Sequence, residues 1–274
     1  MHTAIMSLFN QIIAYLNGED LQAMLSQDLQ SYMYDAYSLV MRLQQHVVGP
    51  IALSILAIFV LLEFQKISMK VEGAGGAPML GFELIMKALI KFVLCYIVIL
   101  RIQDILDGII IITSNLTARV IEVGNDGVLN NVADRVSSAV ADLSWWEQLV
   151  ILLVMCIMFL VSLVVRVLIQ VTIYLRFLEL YIFCAMAPIP MGALPNQEFS
   201  AMSKSFFKNF AATGLQATFI GLVLVIYPLL FIKIMEEVGS GIWGIIMGLT
   251  IYMLALLLSI NKTKGWAKTL LSAS

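Results

Sequence analysis

The sequence predicts an all-α, polytopic transmembrane protein, and three observations lead to this fold class. First, 61% of the 274 residues are hydrophobic and only 12% are charged, whereas soluble domains are about 25% charged. Second, several apolar stretches approach or reach the roughly 20 residues that a helix needs to cross a bilayer. Third, lysines and arginines concentrate in alternate connecting segments, as they do in proteins with a fixed membrane orientation. The composition therefore favours a structural or channel-forming role in a membrane over catalysis in solution.

The residues that usually carry catalysis or metal binding do not form recognisable patterns. Cys95, Cys156 and Cys184 each lie inside an apolar run, which is typical of buried, unreactive thiols. The Gly-rich residues 73–78 lack the lysine of a phosphate-binding loop, and no metalloprotease or nucleophile-elbow motif occurs. The formal net charge of −2 gives no global basic field for nucleic acid. We predict no enzyme activity, and no catalytic, metal-binding or cofactor-binding residues.

Residues 1–46 predict amphipathic helices outside the membrane. Apolar side chains recur at helical spacing from Ile5 to Leu16. After an interruption at Asn17-Gly18, a second amphipathic pattern runs from about Asp20 to His46. These helices could lie on the outer membrane surface or pack on the helical bundle. They could also form a platform for a partner or for sister subunits.

Residues 47–274 predict a transmembrane helical domain with about five spans. The predicted spans are residues 47–65, 85–105, 145–168, 209–232 and 241–260. The second span is the least apolar, because Lys87, Lys91 and Arg101 interrupt it. Those side chains can snorkel to opposite interfaces, and Arg101 can pair on one helix face with Asp104, three residues further on.

The distribution of basic residues predicts an orientation for these spans. With five spans, most of the 16 lysines and arginines fall on one side, which should be cytoplasmic. The N-terminus is then outside and the C-terminus inside, with an outer loop at about residues 106–144 and a cytoplasmic helix extension and loop at about residues 169–208. The inner side includes a basic face formed by Lys204, Lys208, Lys262, Lys264 and Lys268.

Residues 148–187 contain neither Gly nor Pro, so a single long helix is favoured over a hairpin, which would need turn residues. About 40 helical residues extend roughly 60 Å, so the apolar C-terminal part of this helix must pack on protein. Pro188 and Pro190 then end the helix. Arg176 and Glu179 can form a local ion pair, or can line a passage or a subunit contact together with Arg166.

Two pairs of small residues predict close helix packing. Ala217 and Gly221 form one small-xxx-small pair, and Gly244 and Gly248 form another. Such pairs favour contacts within the chain first and contacts between subunits second. In the predicted outer loop, residues 124–127 read Gly-Asn-Asp-Gly, a strong turn signal with amphipathic helix on both sides.

Four short motifs between residues 166 and 230 carry a resemblance to a known family. They are Arg176-Phe177-Leu178-Glu179-Leu180, Ala185-Met186-Ala187-Pro188-Ile189-Pro190, Asn196-Gln197-Glu198 and Gly214-Leu215-Gln216. With these motifs the stretch resembles the TrbL-like family, the polytopic cytoplasmic-membrane subunit of type IV secretion and conjugation systems that corresponds to the sixth VirB component. The compact length is most similar to versions from Gram-positive conjugative elements.

The resemblance implies a channel or scaffold subunit in the cytoplasmic membrane of a bacterium. Such a subunit would form a homo-oligomer, work with VirB-type and coupling ATPases, contact membrane lipid, and bind single-stranded DNA transiently while DNA passes with its relaxase. Two alternatives stay open from the residues alone: a small-solute transporter or permease, and a membrane assembly protein that conducts nothing.

Overall fold

A computed structural model describes residues 2–17, 19–73, 78–124, 136–138, 140, 144–196, 198–238 and 242–273. Within these ranges the regular secondary structure is helical, with no strand. The helices are α1 (His2–Asn17), α2 (Glu19–Ser26), α3 (Leu29–Tyr32), α4 (Tyr34–Leu43), a π-helical turn (Gln44–Val48), α5 (Gly49–Gly73), α6 (Pro78–Leu100), α7 (Ile102–Gly124), α8 (Trp145–Met186), α9 (Pro188–Gly192), α10 (Ser200–Val238) and α11 (Ile242–Leu270). The predicted all-α fold class is confirmed.

Four stretches among the described residues are long and apolar enough to cross a membrane: Tyr34–Gly73, Trp145–Gly192, Ser200–Ile234 and Ile246–Leu270. They overlap the first, third, fourth and fifth predicted spans. The second predicted span falls mostly on α6, whose 23 residues extend about 35 Å but include three charged side chains. The protein is therefore a polytopic membrane protein, and the count of five spans stays a prediction.

The helices that precede α5 differ from the predicted pattern. The second amphipathic stretch is not one helix, because the chain breaks at Asp28 and again at Met33. Asp28 caps α3: its Oδ1 accepts hydrogen bonds from the Ser31 backbone N at 2.7 Å and from Ser31 Oγ at 2.6 Å. Downstream, α4 runs through the π-helical turn into α5, so the predicted boundary at residue 46 does not interrupt the helix.

The first part of the predicted outer loop is helical. Helix α7 covers Ile102–Gly124 and ends at the first glycine of the predicted turn. The rest of that turn, residues 125–127, lies outside the described residues.

Residues 148–187 lie almost entirely in one helix, as predicted. Helix α8 has 42 residues, which extend about 63 Å. It ends at Met186, and α9 begins two residues later at Pro188. Since the proline ring removes the backbone donor at its own position, Pro188 is compatible with the start of a new helix and not with the continuation of α8.

The described chain divides into two compact units. Unit 1 comprises Met1–Gln27, Ile112–Arg176 and Gly214–Ala267, and unit 2 comprises Asp28–Ile111, Phe177–Thr213 and Lys268–Ser274. In unit 1 the apolar face of α1 is buried, including Ile5, Phe9, Ile12 and Leu16. The Phe9 ring lies 6.0 Å from the Phe231 ring of α10. Helix α1 therefore packs on the bundle, which is one of the predicted alternatives.

A close contact between α7 and α10 also belongs to unit 1. A Cβ atom added to Gly214 would lie 3.1 Å from Thr113 Oγ1, and one added to Gly221 would lie 3.5 Å from Ile121 Cγ1. Ala217, on the same helix as these glycines, is fully buried. Small residues on α10 thus let α7 approach closely, so a partner for the Ala217 and Gly221 pair exists within the chain.

In unit 2, the C-terminal part of α8 is covered by the helices that precede α5. The Phe177 ring stacks on the Tyr32 ring with centroids 3.7 Å apart, and Tyr181 Oη donates to the Leu29 carbonyl at 2.7 Å. This contact covers one face of the apolar end of the long helix, whereas Leu178, Ile182 and Met186 on that end are exposed.

Two contacts bear on the predicted orientation. The five-span topology puts Asp20 outside and Arg166 inside, yet Arg166 Nη2 lies 3.6 Å from Asp20 Oδ2 in unit 1. In unit 2, Gln44 Nε2 donates to the Cys184 carbonyl at 2.8 Å, although these two residues are also predicted on opposite sides. Side chains separated by about 30 Å of hydrocarbon cannot touch. The predicted assignment of residues 1–46 to the outside and residues 169–208 to the inside stays a prediction.

Candidate functional site

A group of hydrogen-bonded polar side chains lies inside unit 2. We call Tyr37, Gln44, Gln103 and Asp107 the polar cluster. Tyr37 Oη donates to Asp107 Oδ2 at 2.7 Å, and Gln103 Nε2 donates to Asp107 Oδ1 at 2.8 Å. Gln44 Nε2 lies 3.3 Å from Gln103 Oε1. Each member therefore has a partner, as buried polar groups require.

The π-helical turn before α5 places Gln44 in this cluster. Pro50 has no backbone donor, and its ring crowds the carbonyl four residues earlier, so a regular α-helix is disfavoured at that point. The backbone forms a wider, π-helical turn instead, in which the Gly49 N–H donates to the carbonyl of Gln44, five residues earlier. Single π-helical turns inside α-helices are rare and occur frequently at functional sites.

Asp107 is the acid of the polar cluster. Partial burial raises the pKa of its carboxyl group, while the hydrogen bonds from Tyr37 and Gln103 act in the opposite direction. Burial disfavours the charged carboxylate, and donors aimed at its oxygens favour it. The net effect is a raised pKa, so the charged carboxylate is less stable in this site than in water.

A cavity of about 490 Å³ adjoins the polar cluster. Its walls come from the π-helical turn, the start of α5, the junction of α6 with α7, and the start of α9. The lining residues are Met41, Gln44, Gln45, Gly49, Pro50, Leu53, Ile99, Leu100, Arg101, Gln103, Asp104 and Pro188. The cavity thus combines two side-chain amides shared with the polar cluster, a cation, a carboxylate and apolar side chains, and it can accept a polar group.

Three residues singled out from the sequence meet at this cavity: Arg101, Asp104 and Pro188. Arg101 Nη1 lies 3.1 Å from Asp104 Oδ2, which is the ion pair that their spacing allows. Both side chains are mostly exposed, so the pair contributes little to stability. Whether it serves a passage or a subunit contact stays a prediction.

The predicted helix break is tightly packed in unit 2. Ser203 Oγ donates to the Pro190 carbonyl at 2.5 Å, and Pro188 and Pro190 are both buried. A Cβ atom added to Gly192 would lie 2.8 Å from the Ala52 carbonyl oxygen. A glycine is needed where α9 lies this close to the backbone of α5.

Arg166 joins α8 to the N-terminal helices within unit 1. Its Nη1 donates to the Tyr15 carbonyl at 3.2 Å, and its guanidinium lies 5.0 Å from the centre of the Tyr15 ring. Together with the Asp20 contact, these interactions describe a bridge between helices. This arrangement supports the helix-orienting role among the roles predicted for Arg166.

Arg176 is buried on α8, with 1% of its surface exposed. Its Nη2 lies 3.5 Å from the Gly214 carbonyl at the start of the α10 segment of unit 1. Glu179 is half-buried. The pairing of Arg176 with Glu179 stays a prediction.

The remaining predicted residues are placed but not assigned a role. Gly244 and Gly248 are both buried on α11. In the predicted basic face, Lys204, Lys208 and Lys262 are exposed, whereas Lys264 and Lys268 are half-buried. The existence of one basic surface that contains all five lysines stays a prediction.

Sequence reasoning missed the polar cluster. Tyr37, Gln44 and Gln103 are ordinary residue types in helical patterns, and no motif connects them. The usable signal was Pro50 at the start of an apolar helix, because a proline there predicts a local change of helix geometry just before it.

These features define the class of protein, which is a polytopic, all-α membrane protein with a polar cavity at a helix junction. A family model described as TrbL/VirB6 plasmid conjugal transfer like protein matches residues 19–188, which is more than half of the chain. The chain belongs to this family, and the predicted family is confirmed. No curated protein and no solved structure matches the chain significantly.

The family match and the sequence motifs overlap only in part, at residues 176–180 and 185–188. The match ends at residue 188, so the motifs at residues 196–198 and 214–216 lie beyond it. It covers the first three predicted spans, where the sequence resemblance rested on layout alone. The family is a structural membrane component of conjugal transfer systems, which implies that other type IV secretion subunits are its partners.

Proposed function

We propose that this chain is a scaffold or channel subunit in the cytoplasmic membrane of a conjugative type IV secretion apparatus. It helps to move single-stranded DNA with its attached relaxase across that membrane. The observation that carries the proposal is the family match over residues 19–188 in a chain with four helices able to span a membrane. The subunit itself performs no catalysis.

The proposed partners follow from this role. The subunit is of the compact type found in Gram-positive conjugative elements, and it assembles as a homo-oligomer. It works with VirB-type and coupling ATPases, which supply the energy for transfer. Large exposed apolar side chains are present on all four candidate spans. Lipid and sister subunits would both cover such surfaces in a membrane assembly.

A deletion of the gene from its conjugative element tests the proposal. We expect DNA transfer to recipients to stop, while nicking of the transfer origin in the donor continues, because DNA processing precedes transport. Expression of the wild-type chain in trans should restore transfer. Normal transfer in the deletion strain would overturn the proposal.

A second measurement separates a subunit from an autonomous carrier. Purified protein in sealed liposomes should not move small solutes without partner proteins. Solute transport by the chain alone would support the permease alternative instead.

A further inference from the structure

A second cavity in unit 2 is lined by four lysines. It has a volume of about 390 Å³ and lies between α5 and α6. Lys66 and Lys70 stand one helical turn apart on α5, and Lys87 and Lys91 stand one turn apart on α6. Residues four apart share a helix face, so both helices turn a pair of ammonium groups toward the same volume. We call this the lysine cavity.

The charges around the lysine cavity do not cancel. Lys66 Nζ lies 2.8 Å from Glu198 Oε1, and Lys87 Nζ lies 2.5 Å from Glu83 Oε1. Among the described residues, Lys70 and Lys91 have no ion pair. Four lysines line the cavity, whereas three carboxylates line it or pair with its lysines, those of Glu63, Glu83 and Glu198. The cavity therefore keeps a positive excess that attracts an anion.

The same two helices carry exposed apolar side chains close in sequence to these lysines. Phe82 is 68% exposed, Met69 and Ile90 are each 57% exposed, and Leu62 is 40% exposed. In sequence these residues lie within five positions of the lysines. A ligand that suits this surface has an anionic head and an apolar body.

We propose that the lysine cavity binds the phosphate headgroup of an anionic phospholipid, with its acyl chains along α5 and α6. Basic pockets between membrane helices on the cytoplasmic side are suited to such headgroups. All four lysines fall on the side that the charge distribution assigns to the cytoplasm. The inference does not depend on the proposed role in DNA transfer.

Lipid suits this cavity better than nucleic acid does. Single-stranded DNA sites track a backbone over several nucleotides and offer exposed aromatic rings for stacking. Here the aromatic pair between the two helices is Phe64 and Phe92, of which Phe92 is buried. The cavity has the size for one headgroup, and of the four exposed apolar side chains named above, Phe82 alone is aromatic.

The test measures lipid binding by the full-length chain purified in neutral detergent. Phosphatidylglycerol and phosphatidylcholine are titrated separately, and the bound lipid is counted by native mass spectrometry. We expect preferential binding of phosphatidylglycerol. The double variant Lys70→Gln/Lys91→Gln should weaken that binding by about tenfold, since each lysine near an anionic headgroup contributes substantially.

Three controls make the result specific. The variant Lys204→Gln/Lys262→Gln removes two exposed lysines elsewhere and should leave the affinity unchanged. The variant Lys70→Arg/Lys91→Arg keeps the charge and should retain binding, which separates loss of charge from misfolding. Soluble glycerol phosphate should compete at least tenfold more weakly than the lipid, because it lacks acyl chains.

Several outcomes would overturn the inference. Equal loss of affinity in the Lys204/Lys262 variant would mean a diffuse charge effect. Equal competition by glycerol phosphate would mean a soluble anion site. Displacement of the lipid by a short single-stranded oligonucleotide, with the same dependence on Lys70 and Lys91, would assign the cavity to nucleic acid instead.

Discussion

The helix pairs α7–α10 and α5–α6 differ in how polar side chains are arranged between them. In unit 1, α7 and α10 meet through small residues, and Thr117 Oγ1 forms a 2.9 Å hydrogen bond with Thr218 Oγ1. In unit 2, α5 and α6 enclose the lysine cavity of about 390 Å³. Small residues allow backbones to approach closely, whereas α5 and α6 contact each other elsewhere, as at Phe64 and Phe92, and leave a cavity at their lysines. Similar apolar helices thus give a close contact between α7 and α10 in unit 1 and a charged cavity between α5 and α6 in unit 2.

The largest effect should come from adding a methyl group where α7 and α10 are in close contact. A Cβ atom at Gly124 would lie 2.2 Å from Val225 Cγ2 and 2.8 Å from Val225 Cβ, and the β-branched valine has little freedom to move. We expect Gly124→Ala to lower stability by about 1–3 kcal/mol, measured by unfolding in detergent. Adding Val225→Ala should restore most of that loss.

A matched control for this variant lies on the same helix. Nothing lies within 4 Å of a Cβ atom added to Gly108, so Gly108→Ala should be neutral or stabilise by up to about 1 kcal/mol through helix propensity. Equal destabilisation by both variants would show that the α7–α10 contact is not close.

The polar cluster of unit 2 gives the next largest effect. Tyr37→Phe removes the donor to Asp107 Oδ2 and should cost about 1 kcal/mol, because a partly buried carboxylate loses one partner. Thermal unfolding in detergent measures the change. No loss of stability would indicate that water replaces the tyrosine.

The pH dependence of Asp107 sharpens this result. Burial raises the pKa of its carboxyl group, so ionisation opposes folding, and its contribution to stability declines as pH rises through the folded-state pKa. The stability of the wild type relative to Asp107→Asn should therefore fall as pH rises above about 4, the ordinary pKa of an aspartate. A relative stability that rises over this range would show that the hydrogen bonds outweigh burial.

The threonine pair should contribute less than the cluster. Thr117→Val removes the hydrogen bond to Thr218 while it keeps the volume, and hydrogen bonds between membrane helices average about 0.6 kcal/mol. A double-mutant cycle with Thr218→Val measures the coupling. A coupling near zero would leave close packing as the whole basis of the α7–α10 contact.

The smallest effect should come from the rim of the lysine cavity. Lys66 lowers the pKa of Glu198 through a hydrogen bond, but both side chains are largely exposed, and such pairs are weak. Glu198→Gln should leave the melting temperature unchanged. A clear decrease would mean that the cavity rim is less hydrated than its exposure indicates.

The sequence predicts regular elements of this protein better than it predicts contacts between distant segments. The 42-residue α8 and the break after it follow from an uninterrupted apolar run and two prolines, because both effects are local. The capped break at Asp28 was missed, since its aspartate lies in an otherwise helical pattern. Local capping overrode the amphipathic periodicity there.

Contacts between distant segments are harder to predict, because the charge pattern assigns segments to sides of the membrane and says nothing about which segments touch. The charge pattern predicts Cys184 in a cytoplasmic extension and Gln44 outside, and it gives no sign that the Cys184 carbonyl accepts a hydrogen bond from Gln44. Helix α8 is about twice as long as the hydrocarbon core of a bilayer is thick. Its apolar C-terminal end can therefore pack against any apolar surface. Sequence periodicity contains no information about which surface is chosen.

The π-helical turn at Gln44–Val48 fixes the rotational setting of the helix before it. Each residue of an α-helix advances the direction of the side chains by about 100°, so one residue fewer in the turn would swing Tyr37 about a quarter of a circle around the axis. Its hydroxyl would then point away from Asp107. The wide turn acts as a one-residue spacer, and the alignment of α4 with α7 depends on its length.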